Sequence, residues 1–300
     1  MTTQSETKLA LGRVWSRGVP GWEGIVFVAP AVLVLAAVVA FPVADVLVLS
    51  LYKTVSRTRS IFVGLGNYQR LWADPGFWSA LRNSIAFTAG SVLGHVIIGL
   101  GFALVLNGIR RGRTLFRVVS LVPWMFSAVV VAITWRWMLD AQFGIINHLL
   151  TQLGIWRGPI LWFENPSLAL PALIMTNIWR GFPFASVALL AALQTIPNEQ
   201  YEAAAVDGAM PFQRFCHITL PNLRFTLTVV VTLDTIWNFK HFDLVQVMTN
   251  GGPAGATEVL TTLAYKVSFE NFQFGYAAAM AVVMSLVLLA TTVIYVRRIL

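Results

Sequence analysis

Glu199-Gln-Tyr-Glu-Ala-Ala-Ala-Val-Asp-Gly-Ala-Met-Pro-Phe-Gln-Arg-Phe-Cys-His-Ile-Thr-Leu-Pro221 is a long segment that is neither greasy nor turn-like. Apolar runs flank it on both sides, so it has to emerge from a bilayer on one face. Its first half reads as a helix. Pro197 suits a first helical turn, Glu199 and Glu202 favour the positive N-terminal end, and Ala203, Ala204 and Ala205 are strong helix formers. Gly208 interrupts that helix, and Pro211 restarts one in a new direction. Phe212 and Phe215 then share a face. The expectation is a bent helix pair with small residues at its elbow, where a partner's backbone can come close. The competing reading is an amphipathic helix lying on the membrane surface. Gly208, the Ile218-Thr-Leu-Pro221 ending and the scarcity of cations weigh against it.

Composition fixes the setting. Of 300 residues 57% are hydrophobic and only 11% charged, and the mean hydropathy is +0.72. A soluble domain carries about twice that share of charge. The fold class expected is all-α, a polytopic membrane protein forming one bundle rather than several domains. The net charge of +8 would draw nucleic acid if it were clustered. The cations are scattered instead and mostly flank apolar spans, which is a topology signal, so no nucleic-acid partner is expected. The single cysteine, Cys216, rules out an intrachain disulfide. In a cytoplasmic loop it is a reduced, small filler.

Six spans are expected, over Ile25–Leu51, Leu81–Asn107, Thr114–Met138, Leu168–Leu193, Leu223 through Asp243, and Gly275–Val296. Residues 1–24, with Lys8, Arg13 and Arg17, form a polar cytoplasmic segment. Residues 25–300 form the membrane domain, with the central loop at about 195–222. Pro30 and Pro42 would kink the first span. Residues 52–80 read as a loop whose Phe62-Val-Gly-Leu-Gly-Asn-Tyr68 is a turn-rich cap. His95 lies within the second span, either functional or packed against a neighbouring helix. In the fourth span Gly181 and Pro183 should open the helix locally, and Arg180 at that depth needs a partner or water. Basic Arg110, Arg111, Arg113 and Arg117, together with Arg214, Arg224, Arg297 and Arg298, place both termini and the central loop in the cytoplasm. Lys53, Arg57, Arg59 and Arg70 on the first outer loop run against that rule.

The fifth span is unusually polar. Asp234, Trp237, Asn238 and His241 fall at i, i+3, i+4 and i+7, one helical face. A polar face that cannot look at lipid must look at a pore, a cavity or another subunit. Neither a Gly-x-x-x-x-Gly-Lys-Ser/Thr loop nor a His-Glu-x-x-His, Cys/His or nucleophile-elbow pattern is present. The chain therefore reads as no enzyme, with no metal site and no ATP cradle of its own.

Glu202-Ala203-Ala204, Asp207-Gly208-Ala209, Phe215, Ile218, Leu220 and Pro221 resemble the EAA loop of permease subunits in ATP-binding-cassette importers. Phe242-Asp243, Thr249-Asn-Gly-Gly-Pro253, Thr257-Glu258, Tyr265, Phe269 and Phe274-Gly275-Tyr276 resemble the closing region of carbohydrate permeases of the maltose and glycerol-phosphate type. The resemblance covers nearly the whole chain. It implies a multi-pass protein of the cell (inner, cytoplasmic) membrane that forms half of a sugar pathway by alternating access. It also implies a heterodimeric second permease, two ATPase subunits that bind ATP with Mg, and an external substrate-binding protein. Glu202, Ala203, Ala204, Asp207, Gly208, Ala209, Phe212, Phe215, Ile218 and Pro221 would form the coupling helix docked on the ATPase. Arg180, Gly181, Phe184, Asp234, Trp237, Asn238 and His241 would line the sugar pocket. The family has neutral groups where this chain has Asp234 and His241, and an aromatic hydroxyl where it has Phe184, which leaves the sugar open. With Asp234 near Arg180, a neutral sugar is expected over a phosphorylated one. Three alternatives stay open. Asp234, His241 and Arg180 could form a structural network. The chain could be a self-sufficient ion-coupled carrier or channel for small polar solutes, although no inverted repeat is evident. It could also be an intramembrane enzyme using Asp234 or His241.

Overall fold

The computed structural model describes residues 21–56, 59–109 and 111–299. The expected N-terminal segment up to residue 20, and Arg57 and Arg110, lie outside the described residues. In chain order the elements are α1 Gly21–Leu49, a hairpin of β1 Tyr52–Ser56 and β2 Arg59–Phe62, α2 Gly66–Ala73, α3 Pro75–Gly108, α4 Arg113–Met125 and α5 Ala128–Met138. Then follow α6 Ile145–Gln152, α7 Pro166–Leu193, α8 Asn198–Val206, α9 Pro211–Arg214, a π turn Phe215–Thr219 and α10 Leu220–Phe239. The chain closes with α11 Asp243–Met248, α12 Leu260–Tyr265, a second π turn Lys266–Glu270 and α13 Phe274–Ile299.

Among the described residues five helices are long and apolar enough to cross a membrane: α1, α3, α7, α9 through α10, and α13. The third expected span is a correction. It is not one rod but a pair, Thr114–Met125 and Ala128–Met138, bent by 90°. Pro123 sits inside α4, and the extended backbone of Phe126 and Ser127, three and four residues later, breaks the helix. The fourth span is corrected in the opposite sense. α7 runs unbroken through Gly181 and Pro183. The fifth ends earlier than expected, at Phe239, so His241 lies beyond the helix.

The outer loop after α1 also differs from the expected turn-rich loop. It opens with an antiparallel hairpin, Tyr52 opposite Phe62 and Thr54 opposite Ser60. The Tyr52 and Phe62 rings meet edge to face at 5.4 Å, a cross-strand pair of the stabilising kind. Asn67 buries its amide beneath and donates to the carbonyls of Ser50 and Tyr52, each at 2.8 Å. Further along, Asp140 accepts the backbone N–H groups of Gln142 and Phe143. Those bonds hold its carboxyl below the usual carboxylate range.

Lipid tails are as apolar as leucine, so close packing and interhelical hydrogen bonds, not transfer from water, hold spans together. α3 supplies the close packing. Its Gly90 and Gly94, four apart, admit Ile174 and Ile178 of α7, and Gly99 admits Ala185 and the backbone of Ser186. A cluster of Ala103, Leu106, Leu189, Leu190, Leu193, Ile196 and Leu223 then closes the ends of α3, α7 and α10 nearest the central loop. α1 is the contrast, with none of its apolar window buried.

Candidate functional site

The residues expected to line one pocket divide into two groups. The first is a buried polar zipper across α3, α7 and α10. His95 Nδ1 lies 2.7 Å from Asp234 Oδ2, and His95 Nε2 lies 2.9 Å from the Asn177 carbonyl oxygen. Asn238 donates its amide to Asp234 Oδ1 at 2.8 Å and to the Asp234 carbonyl at 2.8 Å. The Asn177 amide donates in turn to Asn238 Oδ1. All four residues are at most 6% exposed. A carbonyl only accepts, so His95 Nε2 carries a proton. The Nδ1–carboxylate contact then holds one further proton, on either the ring or the acid. Both arrangements are neutral overall, which is how a low-dielectric site tolerates a histidine beside an aspartate.

Gly181 belongs to this zipper. A Cβ there would overlap His95 Nε2 and Cε1, so glycine is what lets the imidazole reach the α7 backbone. The expected local opening of α7 is thus replaced by a close approach to α3. The zipper draws in Asp234 and Asn238 but neither Arg180 nor His241. His241 packs its ring against Phe87 at 6.0 Å, and its carbonyl accepts from Thr261.

The second group is an aromatic face contributed by three helices. Phe184 of α7 meets Trp237 of α10 edge to face at 4.9 Å. Trp124 of α4 stacks on Phe184 at 6.3 Å. Trp237 and Trp124 are 41% and 46% exposed, unlike the zipper residues beside them. Arg180, one turn before Phe184, points its Nε at the Phe126 carbonyl at 3.4 Å, a long contact to an acceptor freed by the break between α4 and α5. Trp124 was missed in the sequence reading, which took α4 and α5 as one continuous span. Its only local signal was Pro123.

At the other end of the bundle the central loop follows its expected course. α8 ends at Val206, Gly208 takes a left-handed φ of +78° with open space around it, and α9 starts at Pro211. Glu202, Ala203, Asp207, Gly208, Phe212 and Pro221 are exposed, while Ala204, Ala209, Phe215 and Ile218 are half-buried. Val206, Met210 and Phe212 are 89%, 70% and 75% exposed. The first two were not singled out from the sequence, because an apolar side chain next to a glycine elbow reads as either core or surface. Together they make an apolar tip on a polar loop.

The comparisons agree with this architecture. The family model described as the binding-protein-dependent transport system inner membrane component matches residues 95–299. The trehalose/maltose transport system permease protein of Thermococcus litoralis is 34% identical over 275 residues, 91% of this chain and 92% of that protein. The sulfoquinovosyl glycerol transport system permease protein of Agrobacterium fabrum is 34% identical over 276 residues, 91% of this chain and 89% of its own length. An inner membrane ABC transporter permease protein of Escherichia coli is 34% identical over 278 residues, 92% and 93% of the two chains. In fold, the chain is similar to one in the crystal structure of a bacterial ABC transporter that imports the acidic polysaccharide alginate. The TM-score is 0.79, with 21% identity over 95% of this chain and 98% of that one. The bundle of apolar spanning helices, the glycine-elbowed loop and these matches along the length converge: the chain belongs to the family of inner-membrane permease components of binding-protein-dependent ABC transport systems.

Proposed function

We propose that this permease carries a carbohydrate and forms half of its pathway, paired with a different second permease. Two ATPase subunits, which bind ATP and Mg, sit below the pair, one of them docked on the loop at 195–222, and an external binding protein delivers the sugar to the opposite side. Residues 25–300 act as the membrane domain, with both termini and the loop in the cytoplasm. The observation that carries the reading is the open face of Trp124, Phe184 and Trp237, with Arg180 one turn away. Aromatic rings present flat apolar surface to the C–H faces of a sugar, and a guanidinium supplies directed hydrogen bonds to its oxygens. The permeases of similar sequence that are named for sugars support the same class.

Within the expected pocket, Phe184, Trp237 and Arg180 touch the cargo, while Asp234, Asn238 and Gly181 hold the helices that carry them. The preference for a neutral sugar rested on Asp234 opposing an anion. Its carboxyl is occupied by His95 and Asn238, so that reason does not bear on cargo charge. The same pairing takes Asp234 out of the intramembrane-enzyme reading, which needed its carboxyl free to act.

At the loop, Val206, Met210 and Phe212 enter a groove on the ATPase, and Gly208 lets its surface come close. Affinity purification of the tagged chain from its native membrane tests this beside a Gly208→Arg, Glu202→Lys double variant. Wild type should bring down ATPase activity and the variant should not. Wild type that is folded, abundant and free of ATPase would overturn the reading. Uptake by the chain alone in vesicles without ATP would put the carrier in its place.

A further inference from the structure

We propose that Tyr201 and Thr219 are a positioning pair that passes movement of the central loop to the fifth span. The inference rests on the proposed docking of that loop on an ATPase. The Tyr201 hydroxyl, on α8, lies 2.9 Å from the Thr219 hydroxyl, eighteen positions later in the chain. Thr219 is 4% exposed and ends the π turn, where the Leu220 N–H donates to the Phe215 carbonyl. A π turn inserts one residue into a helix and re-aims the side chains before it relative to those after. A second bond runs parallel on the exposed side, from the Asn222 amide to the Gln200 side-chain oxygen at 3.2 Å.

The segment between the two hydroxyls is the exposed part of the loop. It bends at Gly208 and holds the apolar tip. A tip hung on a glycine elbow would swing without moving the membrane helices unless its two ends were tied. The Tyr201–Thr219 bond ties them. The tie also has a firm anchor, because Tyr201 and Ile218 pack against the cluster that joins α3, α7 and α10. From Thr219, α10 rises fifteen residues to Asp234, or about 22 Å at the α-helical rise. There the buried zipper joins the same three helices again. A push on α8 therefore reaches α7 and α10, which carry Phe184 and Trp237, as one displacement.

The test uses the whole complex, reconstituted in vesicles with its second permease, ATPases, binding protein and sugar. Sugar moved per ATP hydrolysed is the readout, because a loss of stability alone would lower both rates together. Tyr201→Phe removes only the hydroxyl. The complex should assemble and hydrolyse ATP, with the transport-to-hydrolysis ratio falling about fivefold, as expected for one lost hydrogen bond. Thr219→Val should fall equally, Thr219→Ser should restore the wild-type ratio, and the Tyr201→Phe, Thr219→Val pair should be no worse than either alone. Should Thr219→Val fail to fold, Tyr201→Phe against Thr219→Ser still decides. A wild-type ratio in assembled Tyr201→Phe complex overturns the strut and leaves docking untouched. Failure of wild type to bind an ATPase overturns both.

Discussion

Gly181 has no side chain because His95 occupies the space one would need. Gly181→Ala should therefore lower thermal stability in detergent by about 1–3 kcal/mol through overpacking, read as a shift in unfolding midpoint against wild type. Asp234 and Trp237 should separate cleanly. Asp234→Ala takes from the buried site the carboxylate partner of His95 Nδ1 and of the Asn238 amide, and should cost about 1–3 kcal/mol of stability. Trp237→Ala should leave the unfolding midpoint nearly unchanged and raise the KM for transported sugar several-fold. The reverse pattern, with Asp234→Ala stable but weak in transport, would return Asp234 to the cargo surface. The periodicity of α10 was legible: Asp234, Trp237 and Asn238 do lie along one side. An arc that wide has two edges, however. What sends Asp234 and Asn238 inward and leaves Trp237 open is the position of His95 and Asn177 on other helices. A single sequence does not print such distant pairings, and His95 could be read only as functional or packed.

Among the elements, the order of the apolar spans and the glycine elbow were readable because length, hydropathy and Gly/Pro punctuation are local properties. The break between α4 and α5 was not, since Phe126-Ser127 is no punctuation in itself. The continuity of α7 was misread for the opposite reason: Gly181 and Pro183 look like breakers, but close packing against α3 and the neighbouring spans holds the helix through them. The turn at Thr249–Pro253 was legible as a helix stop, and the structure adds what fastens it. Lys266 donates to the Asn250 carbonyl at 2.8 Å and pairs with Glu258. Asn83 of α3 holds the Glu258 carbonyl at 3.0 Å. Lys266→Met leaves the half-buried Glu258 carboxylate without its cation. Limited proteolysis of the reconstituted complex should then cut between residues 249 and 258 faster than in wild type. An unchanged cleavage rate would show that the bonds of Asn83 and Thr257 hold the segment without the ion pair.

For the molecule as a whole, α3, α7 and α10 form a frame joined twice, by the apolar cluster near the loop and by the zipper above it. Its orientation is testable through the only cysteine, Cys216, which is partly exposed in the π turn. A membrane-impermeant maleimide should leave Cys216 unlabelled in intact cells and label it in inside-out vesicles stripped of ATPase. Labelling from outside would invert the proposed topology. The division between zipper and aromatic face has an evolutionary consequence. Residues that fix the frame are buried and mutually dependent, so they resist change. Trp124 and Trp237 are exposed and Phe184 is half-buried between helices, and none of the three takes part in the zipper. A lineage could exchange its nutrient by altering these few positions while inheriting the frame intact, and diet would then diversify faster than architecture.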